Sequence, residues 1–151
     1  MRCLGLDFGD KTIGVAVGCS NNRIATGVTT IHRDQDIALR PSINALRAII
    51  NEYSITHIII GHPINMDGTA SLRSLKTEVF RDKLKRNFKS KEIILWDERL
   101  STMAVTRAFY RETKPTKKQQ ETYRAHVDEM AAVYILQGYL ESLTLDEQVK
   151  G

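Results

Sequence analysis

Residues 4–17 read LGLDFGDKTIGVAV, two apolar runs on either side of a short polar turn. This pattern predicts two antiparallel strands joined as a hairpin, and Gly9 supplies the backbone freedom that the reversal needs. The carboxylate of Asp7 closes the first strand, where burial begins. That position suits a solvated turn residue. It equally suits a metal ligand held on rigid backbone, with Lys11 facing a phosphate.

Outward from this hairpin, the apolar spacing predicts further strands and helices. A third strand at about 23–31 extends the meander, because the turn before it is short. The spacing also predicts strands at 2–7, 13–18, 57–60 and 92–96, and helices at roughly 36–53, 70–88, 101–112 and 125–142. The second helix has an apolar side formed by Leu72, Leu75, Val79 and Leu84.

The order of these elements, βββαβαβαα, predicts an α/β fold in a single domain spanning residues 1–151. Parallel strands joined through helices require right-handed crossovers, so the fourth and fifth strands can lie beside the first. We therefore expect a mixed five-stranded sheet in the order 3-2-1-4-5, with helices on both faces.

Composition fits a soluble globular protein, because 42% of the residues are apolar and 26% are charged. No apolar run approaches the roughly 20 residues of a membrane-spanning helix, and the N-terminus lacks a signal-peptide pattern. Cys3 and Cys19 show no metal-binding spacing, which predicts reduced thiols. We expect a cytoplasmic protein without a membrane partner.

The chain has a net charge of +4, and two clusters of Lys and Arg residues stand out in its sequence. The segment RDKLKRNFKSK at 81–91 carries six Lys/Arg residues and one Asp. The second cluster surrounds Pro115 and consists of Arg107, Arg111, Lys114, Lys117, Lys118 and Arg124. Together they indicate a side that faces a polyanion such as nucleic acid, although each alone also fits a solvated helix face.

The stretch TKPTKKQQETYR at 113–124 is polar, basic and interrupted by proline, which predicts a mobile loop between the last two helices. We expect a flap that becomes ordered on nucleic acid and helps to position the scissile phosphate. The alternative is an ordinary surface loop or a continuation of the preceding helix.

Three carboxylates close or interrupt apolar elements: Asp7 ends the first strand, Glu98 follows the fifth, and Asp128 heads the apolar stripe of the last helix. Burying a carboxylate on a helix side that faces the sheet costs free energy unless a cation lies beside it. The strand order can bring all three carboxylates to one edge of the sheet. Mg²⁺ or Mn²⁺ prefers such oxygen ligands and can assist phosphodiester cleavage. Simpler interpretations are a turn residue at Asp7, an ion pair of Glu98 with Arg99, and a helix N-cap at Asp128.

Four motifs resemble the YqgF family: GLDFGDKTIGVAV (5–17), GHPINMDGT (61–69), DERLST (97–102) and VDEMAAVYILQ (127–137). Its members are bacterial, Holliday-junction-resolvase-like proteins assigned as pre-16S rRNA nucleases, with an RNase H-like fold. The resemblance spans residues 2–142 and implies a catalytic, metal-binding triad of Asp7, Glu98 and Asp128. Nucleic-acid contacts are assigned to motif residues and basic positions: Lys11, Asn65, Arg99, Ser101, Thr102, Arg107, Lys117, Lys118 and Arg124. The chain departs from the usual family pattern at Thr12, Gly18, Cys19 and His62.

The resemblance implies a metal-dependent nuclease that processes the 5′ end of pre-16S rRNA during ribosome biogenesis. Its partners would be structured RNA and a pre-ribosomal particle, and the protein would be a monomer or a homodimer. One alternative is a Holliday-junction resolvase in DNA recombination or repair, which needs a symmetric dimer. A second is a non-catalytic nucleic-acid-binding module. Actin-like ATPases and sugar kinases share the opening motif, but 151 residues are too few for their duplicated domain.

Overall fold

The structure is a computed structural model that describes residues 1–33, 39–98 and 117–143, and for residues 117–128 it describes the backbone alone. Strands occupy Arg2–Phe8 (β1), Thr12–Cys19 (β2), Ile24–His32 (β3), His57–His62 (β4) and Glu92–Asp97 (β5). Helices occupy Arg40–Glu52 (α1), Leu72–Asn87 (α2) and Lys117–Ser142 (α3). The predicted helix at 101–112 lies outside the described residues. Within the described ranges, no helix has the length and hydropathy needed to cross a bilayer.

The five strands form one sheet in the order β3-β2-β1-β4-β5, which confirms the predicted order. The first three strands are antiparallel neighbours, whereas β1 and β4, and β4 and β5, are parallel. β1 lies at the centre of the sheet, and every residue from Cys3 to Phe8 is buried. The run of apolar residues in β1 follows from this position, because a central strand is covered on both faces.

Helices cover both faces of the sheet, as predicted. Because side chains alternate along a strand, each strand contributes to two separate cores. One core joins α1 and α2 to the sheet and includes Leu4, Leu6, Leu46, Ile60 and Phe80. The other joins α3 to the sheet and includes Cys3, Ala16, Ile59, Ala132 and Leu136.

Of the four residues predicted to form the apolar side of α2, Leu84 is buried and the other three are exposed. The exposed fractions are 71% for Leu72, 53% for Leu75 and 58% for Val79. The helix instead turns Phe80 inward, where its ring stacks on Phe8 with the centroids 4.2 Å apart. Ser71 fixes the start of the helix, because its hydroxyl accepts from the Ser74 N–H and donates to the Pro63 carbonyl. The aromatic stack and this cap favour a rotation of α2 about its own axis that the spacing of its apolar residues does not predict.

α3 begins at Lys117, eight residues before its predicted start at 125. The predicted loop at 113–124 is therefore wrong for residues 117–124, which are helical. Lys, Gln, Glu and Arg are good helix formers, but a helical stretch that is polar on all sides shows no apolar period in the sequence. Residues 113–116 lie outside the described part of the chain, and the mobility of the flap stays a prediction.

Candidate active site

Asp7 is the second-last residue of the central strand β1 and lies on the face that α3 covers. Alternation along β1 places it on the same side as Gly5. A Cβ built on Gly5 would lie 2.7 Å from the Leu136 Cβ and 2.9 Å from the Ala132 carbonyl oxygen, so α3 approaches this face closely. Asp7 is only 4% exposed, which rules out a solvated turn residue. We call the edge at which β1, β4 and β5 end (Phe8, His62 and Asp97) the carboxyl edge.

The carboxylate of Glu98 lies over β4, next to β1. Its Oε2 stands 3.0 Å from the position that a Cβ on Gly61 would occupy. Since the parallel register pairs Leu6 with Ile60, the next step along both strands places Gly61 beside Asp7. Because Gly61 has no side chain, the Glu98 carboxylate and the Ile135 side chain of α3 both lie directly against β4, on the side of Gly61 that Asp7 shares.

Strand alternation distinguishes Glu98 from its acidic neighbour Asp97. The ring of Trp96 meets the ring of Tyr139 in α3 edge to face, with the centroids 5.7 Å apart. Trp96 therefore belongs to the core beneath α3, and Asp97, the next residue, is directed to the opposite face. Glu98 returns to the α3 side. Its N–H donates to the His62 carbonyl at 3.4 Å, which ties it to the end of β4.

The backbone of Asp128 lies at the same edge. The Ala132 carbonyl approaches Gly5, whereas Leu140 approaches Gly18, which pairs with the start of β1. α3 therefore runs antiparallel to β1, and one helical turn from Ala132 back to Asp128 advances about 5.4 Å toward the carboxyl edge. The side chain of Asp128 lies outside the described part of the structure.

The donors at this edge suit a hard divalent cation. Carboxylate oxygens on fixed backbone are the ligands that Mg²⁺ and Mn²⁺ prefer, and Gly61 lets the Glu98 carboxylate lie close to the strand beside Asp7. Among the described side chains, no group of three His, Cys, Asp or Glu residues could hold a metal ion. The side chain of Asp128, the predicted third ligand, is not among them.

The β1–β2 turn carries Lys11, which is exposed at the carboxyl edge, and its contact with a phosphate stays a prediction. The Arg33 N–H donates to the Lys11 carbonyl at 2.7 Å, and the Arg33 guanidinium donates to the Gly9 carbonyl. The same guanidinium lies over the Phe8 ring, 4.4 Å from its centroid. Sequence analysis missed Arg33. It follows β3 directly, and the meander brings the end of β3 to the turn before β2, which is the signal that could have found it.

Asn65 forms hydrogen bonds within the turn that follows β4. Its Nδ2 donates to the Thr69 Oγ1 at 3.0 Å and to the Ala70 carbonyl at 3.3 Å. The Asp67 carboxylate accepts from the Thr69 N–H at 2.9 Å. These bonds use the Asn65 amide donors within residues 65–70, so its role in this structure is to shape the turn. The prediction that Asn65 contacts nucleic acid stays a prediction.

The side chains of the other predicted nucleic-acid contacts lie outside the described part of the structure. Arg99, Ser101, Thr102 and Arg107 lie outside the described residues. Lys117, Lys118 and Arg124 have helical backbone in α3. The helix from Ala132 back to Lys117 is about 22 Å long, so its first turns extend past the carboxyl edge.

The strand order and the carboxylates at the carboxyl edge define an RNase H-like fold. The crystal structure of T. thermophilus RuvC in complex with a Holliday junction substrate has the same fold, with a TM-score of 0.53. The match covers 94% of this chain and 95% of that chain at 11% sequence identity, so it concerns the fold alone.

The family model RuvX, described as Holliday junction resolvase, matches residues 1–142, and the chain belongs to this family. A relative from Agathobacter rectalis is 42% identical over 144 residues, covering 95% of this chain and 97% of its own length. A relative from Clostridium tetani is 44% identical over 143 residues, covering 95% and 98%. Both are named "Putative pre-16S rRNA nuclease". The chain is therefore a nuclease, a hydrolase that acts on ester bonds of nucleic acid, and the motif resemblance is confirmed.

Proposed function

We propose that this nuclease is metal-dependent and processes the 5′ end of pre-16S rRNA during ribosome biogenesis in the cytoplasm. The observation that carries the proposal is the placement of the Glu98 carboxylate over Gly61, beside the buried Asp7. Asp7 is buried and Glu98 is half-buried, and neighbouring carboxylates in such a site favour a cation between them. The names of the relatives support pre-16S rRNA as the substrate.

In this proposal Asp7, Glu98 and Asp128 hold Mg²⁺ or Mn²⁺, which when bound supplies an activated water and stabilises the leaving oxygen. The chain's own contribution is to keep the ligands in place. Asp7 is fixed by the central strand, and Glu98 is tied to β4 through its N–H bond to the His62 carbonyl. Lys11 faces a phosphate of the substrate from a turn that Arg33 holds.

The substrate backbone is proposed to extend from this site along the first turns of α3 and the segment after β5. The proposed contacts are Asn65, Arg99, Ser101, Thr102, Arg107, Lys117, Lys118 and Arg124. No described element is suited to reading bases in a groove, so phosphates and RNA shape supply most of the affinity. The protein would act on a pre-ribosomal particle as a monomer or a homodimer.

The first experiment compares substrates and metal ions. Purified protein is incubated with a structured precursor 16S rRNA fragment, a four-way DNA junction and single-stranded DNA, each with Mg²⁺, Mn²⁺ or EDTA. We expect the rRNA fragment to be cleaved with either ion and to stay intact in EDTA. The family description favours a second candidate, Holliday-junction resolution. Faster cleavage of the four-way junction than of the rRNA fragment would select that candidate instead.

The second experiment tests the carboxylates with matched neighbours. Asp7→Asn should abolish cleavage while the metal-free protein keeps or gains stability, because repulsion within the acidic cluster is relieved. Asp10→Asn is the control, since Asp10 is exposed and paired with Lys76 at 3.3 Å. Glu98→Gln should likewise remove most activity, whereas Asp97→Asn should not. Full activity of Asp7→Asn would refute the assignment.

A further inference from the structure

The basic segment at 81–91 lies at the edge of the sheet opposite the carboxylates. We call the edge at which β1, β4 and β5 begin (Arg2, His57 and Glu92) the amino edge. α2 leads from the end of β4 to the start of β5, so its last turn arrives at the amino edge. Two bonds hold the connection: the Lys91 N–H donates to the Phe88 carbonyl at 3.1 Å, and the Glu92 N–H donates to the Thr56 carbonyl at 3.2 Å.

Cations from other segments join this cluster. The guanidinium of Arg47 in α1 lies over the ring of Phe88, 4.9 Å from its centroid. Arg2, at the start of β1, is held to the end of α1, because its Nη1 donates to the Tyr53 carbonyl at 3.3 Å. The basic amino-edge surface therefore combines three separate parts of the chain and consists of Arg2, Arg47, Lys85, Arg86, Lys89 and Lys91.

These cations are exposed or half-buried, and none of them forms an ion pair within the described ranges. Asp82, the one acid of the segment at 81–91, pairs with Arg81 at 3.1 Å. Lys85 and Arg86 lie in the last turn of α2, where they also complement the helix dipole. The dipole does not account for Arg2, Arg47 or Lys89, which come from outside that helix.

We propose that the basic amino-edge surface is a second nucleic-acid contact, which binds the phosphodiester backbone of the substrate away from the scissile bond. Arg2 and Asp7 are five residues apart on one strand, so their backbone positions are separated by about 17 Å. At about 3.4 Å per base pair, a five-base-pair duplex is no longer than this separation, whereas a duplex of about 20 base pairs extends well beyond it. This proposal takes its ligand, nucleic acid, from the proposed function. It predicts that binding affinity depends on the length of the substrate, which the cleavage chemistry alone does not require.

The test compares RNA hairpins with stems of about 5 and about 20 base pairs, between about 50 and about 200 mM salt. The variant is Lys85→Gln/Arg86→Gln/Lys89→Gln, and the control is the charge-conserving Lys85→Arg/Lys89→Arg. Fluorescence anisotropy gives the affinity, and thermal unfolding checks that each variant is folded. For the long hairpin we expect affinity to fall about tenfold and the salt slope to flatten by about 2 to 3. For the short hairpin, and for the control, we expect changes of less than about twofold.

Equal losses for the long and the short hairpin, or no loss for either, would overturn the proposal. Polyglutamate serves as a competitor that distinguishes an acidic protein from nucleic acid. If wild-type protein binds it more tightly than the long hairpin, and the variant loses that binding, the surface serves an acidic protein and the proposal is wrong. Length-dependent binding without cleavage by wild-type protein would refute the proposed function and leave this inference standing.

Discussion

The carboxyl edge and the amino edge belong to the same strands, yet they carry opposite charges in opposite environments. At the carboxyl edge Asp7 is 4% exposed, and the Glu98 carboxylate lies directly against Gly61. At the amino edge the cations project into solvent from three parts of the chain. Fixed, enclosed oxygens suit the chemistry of a reacting phosphate, whereas exposed cations attract a polyanion over longer distances. In the two proposals above, the reaction takes place at one edge of the sheet and the substrate backbone is bound at the other.

The close approach of α3 affects the two edges differently. At both Gly18 and Gly61 an added Cβ would collide with side chains of α3. At Gly61 the added atom would also lie 3.0 Å from the Glu98 Oε2, whereas at Gly18 the further neighbour is the Ile24 carbonyl oxygen at 2.9 Å. The same kind of substitution therefore tests packing alone at one edge, and packing together with the site at the other.

The largest effect in this comparison is expected from Gly61→Ala. Both Gly61→Ala and Gly18→Ala should lower the free energy of unfolding by about 1 to 3 kcal/mol, because each overpacks the contact with α3. Gly61→Ala should in addition lower kcat about 10- to 100-fold, because it displaces the Glu98 carboxylate. Denaturant unfolding measures the first effect, and cleavage rates of the folded protein measure the second. Equal kcat values for the two variants would mean that Glu98 does not act from above Gly61.

A smaller effect is expected from Lys117→Gln/Lys118→Gln at the start of α3. The removal of two phosphate contacts should weaken binding several-fold and reduce the salt slope by about 1.5. The loss should be similar for long hairpins of unrelated RNA sequence. Anisotropy titrations on two such hairpins check this. A loss confined to one RNA sequence would contradict backbone binding.

The smallest functional effect is expected at Cys3, which is buried beneath α3 near the amino edge. Burial raises the pKa of the Cys3 thiol from 9.0 to about 11. At about pH 8 a thiol reagent should therefore modify Cys19 and leave Cys3 intact until denaturant is added, with cleavage unchanged. Rapid modification of Cys3 in the folded protein would show that the core beneath α3 opens.

The raised pKa of Cys3 also has a consequence for stability. Since the folded-state value lies above the unfolded-state value, the neutral thiol stabilises the fold below about pH 9. This contribution is lost as the pH rises toward about 11. Unfolding measurements above about pH 9 should show a smaller pH dependence for Cys3→Ala than for the wild type.

The amino-acid sequence by itself determined the strands, their order and the position of Asp7 at the end of the central strand. These features depend on local signals: a short turn at Gly9, apolar runs of strand length, and crossovers of one handedness. The positions of Glu98 and Asp128 at apolar elements predicted them as partners of Asp7 at a metal site, which stays a prediction, and the motif resemblance gave the family.

Only the tertiary structure decided which sides of the elements are buried and where the side chains point. Leu72, Leu75 and Val79 form a good apolar side, yet the stack of Phe80 on Phe8 turns them outward. The polar start of α3 has no apolar period, so its helical state could not be distinguished from a loop in the sequence. The arrangement of Glu98 over Gly61, and the gathering of cations at the amino edge, join residues far apart in the chain. Packing between elements determines such contacts, and they cannot be predicted from the spacing of residues within one element.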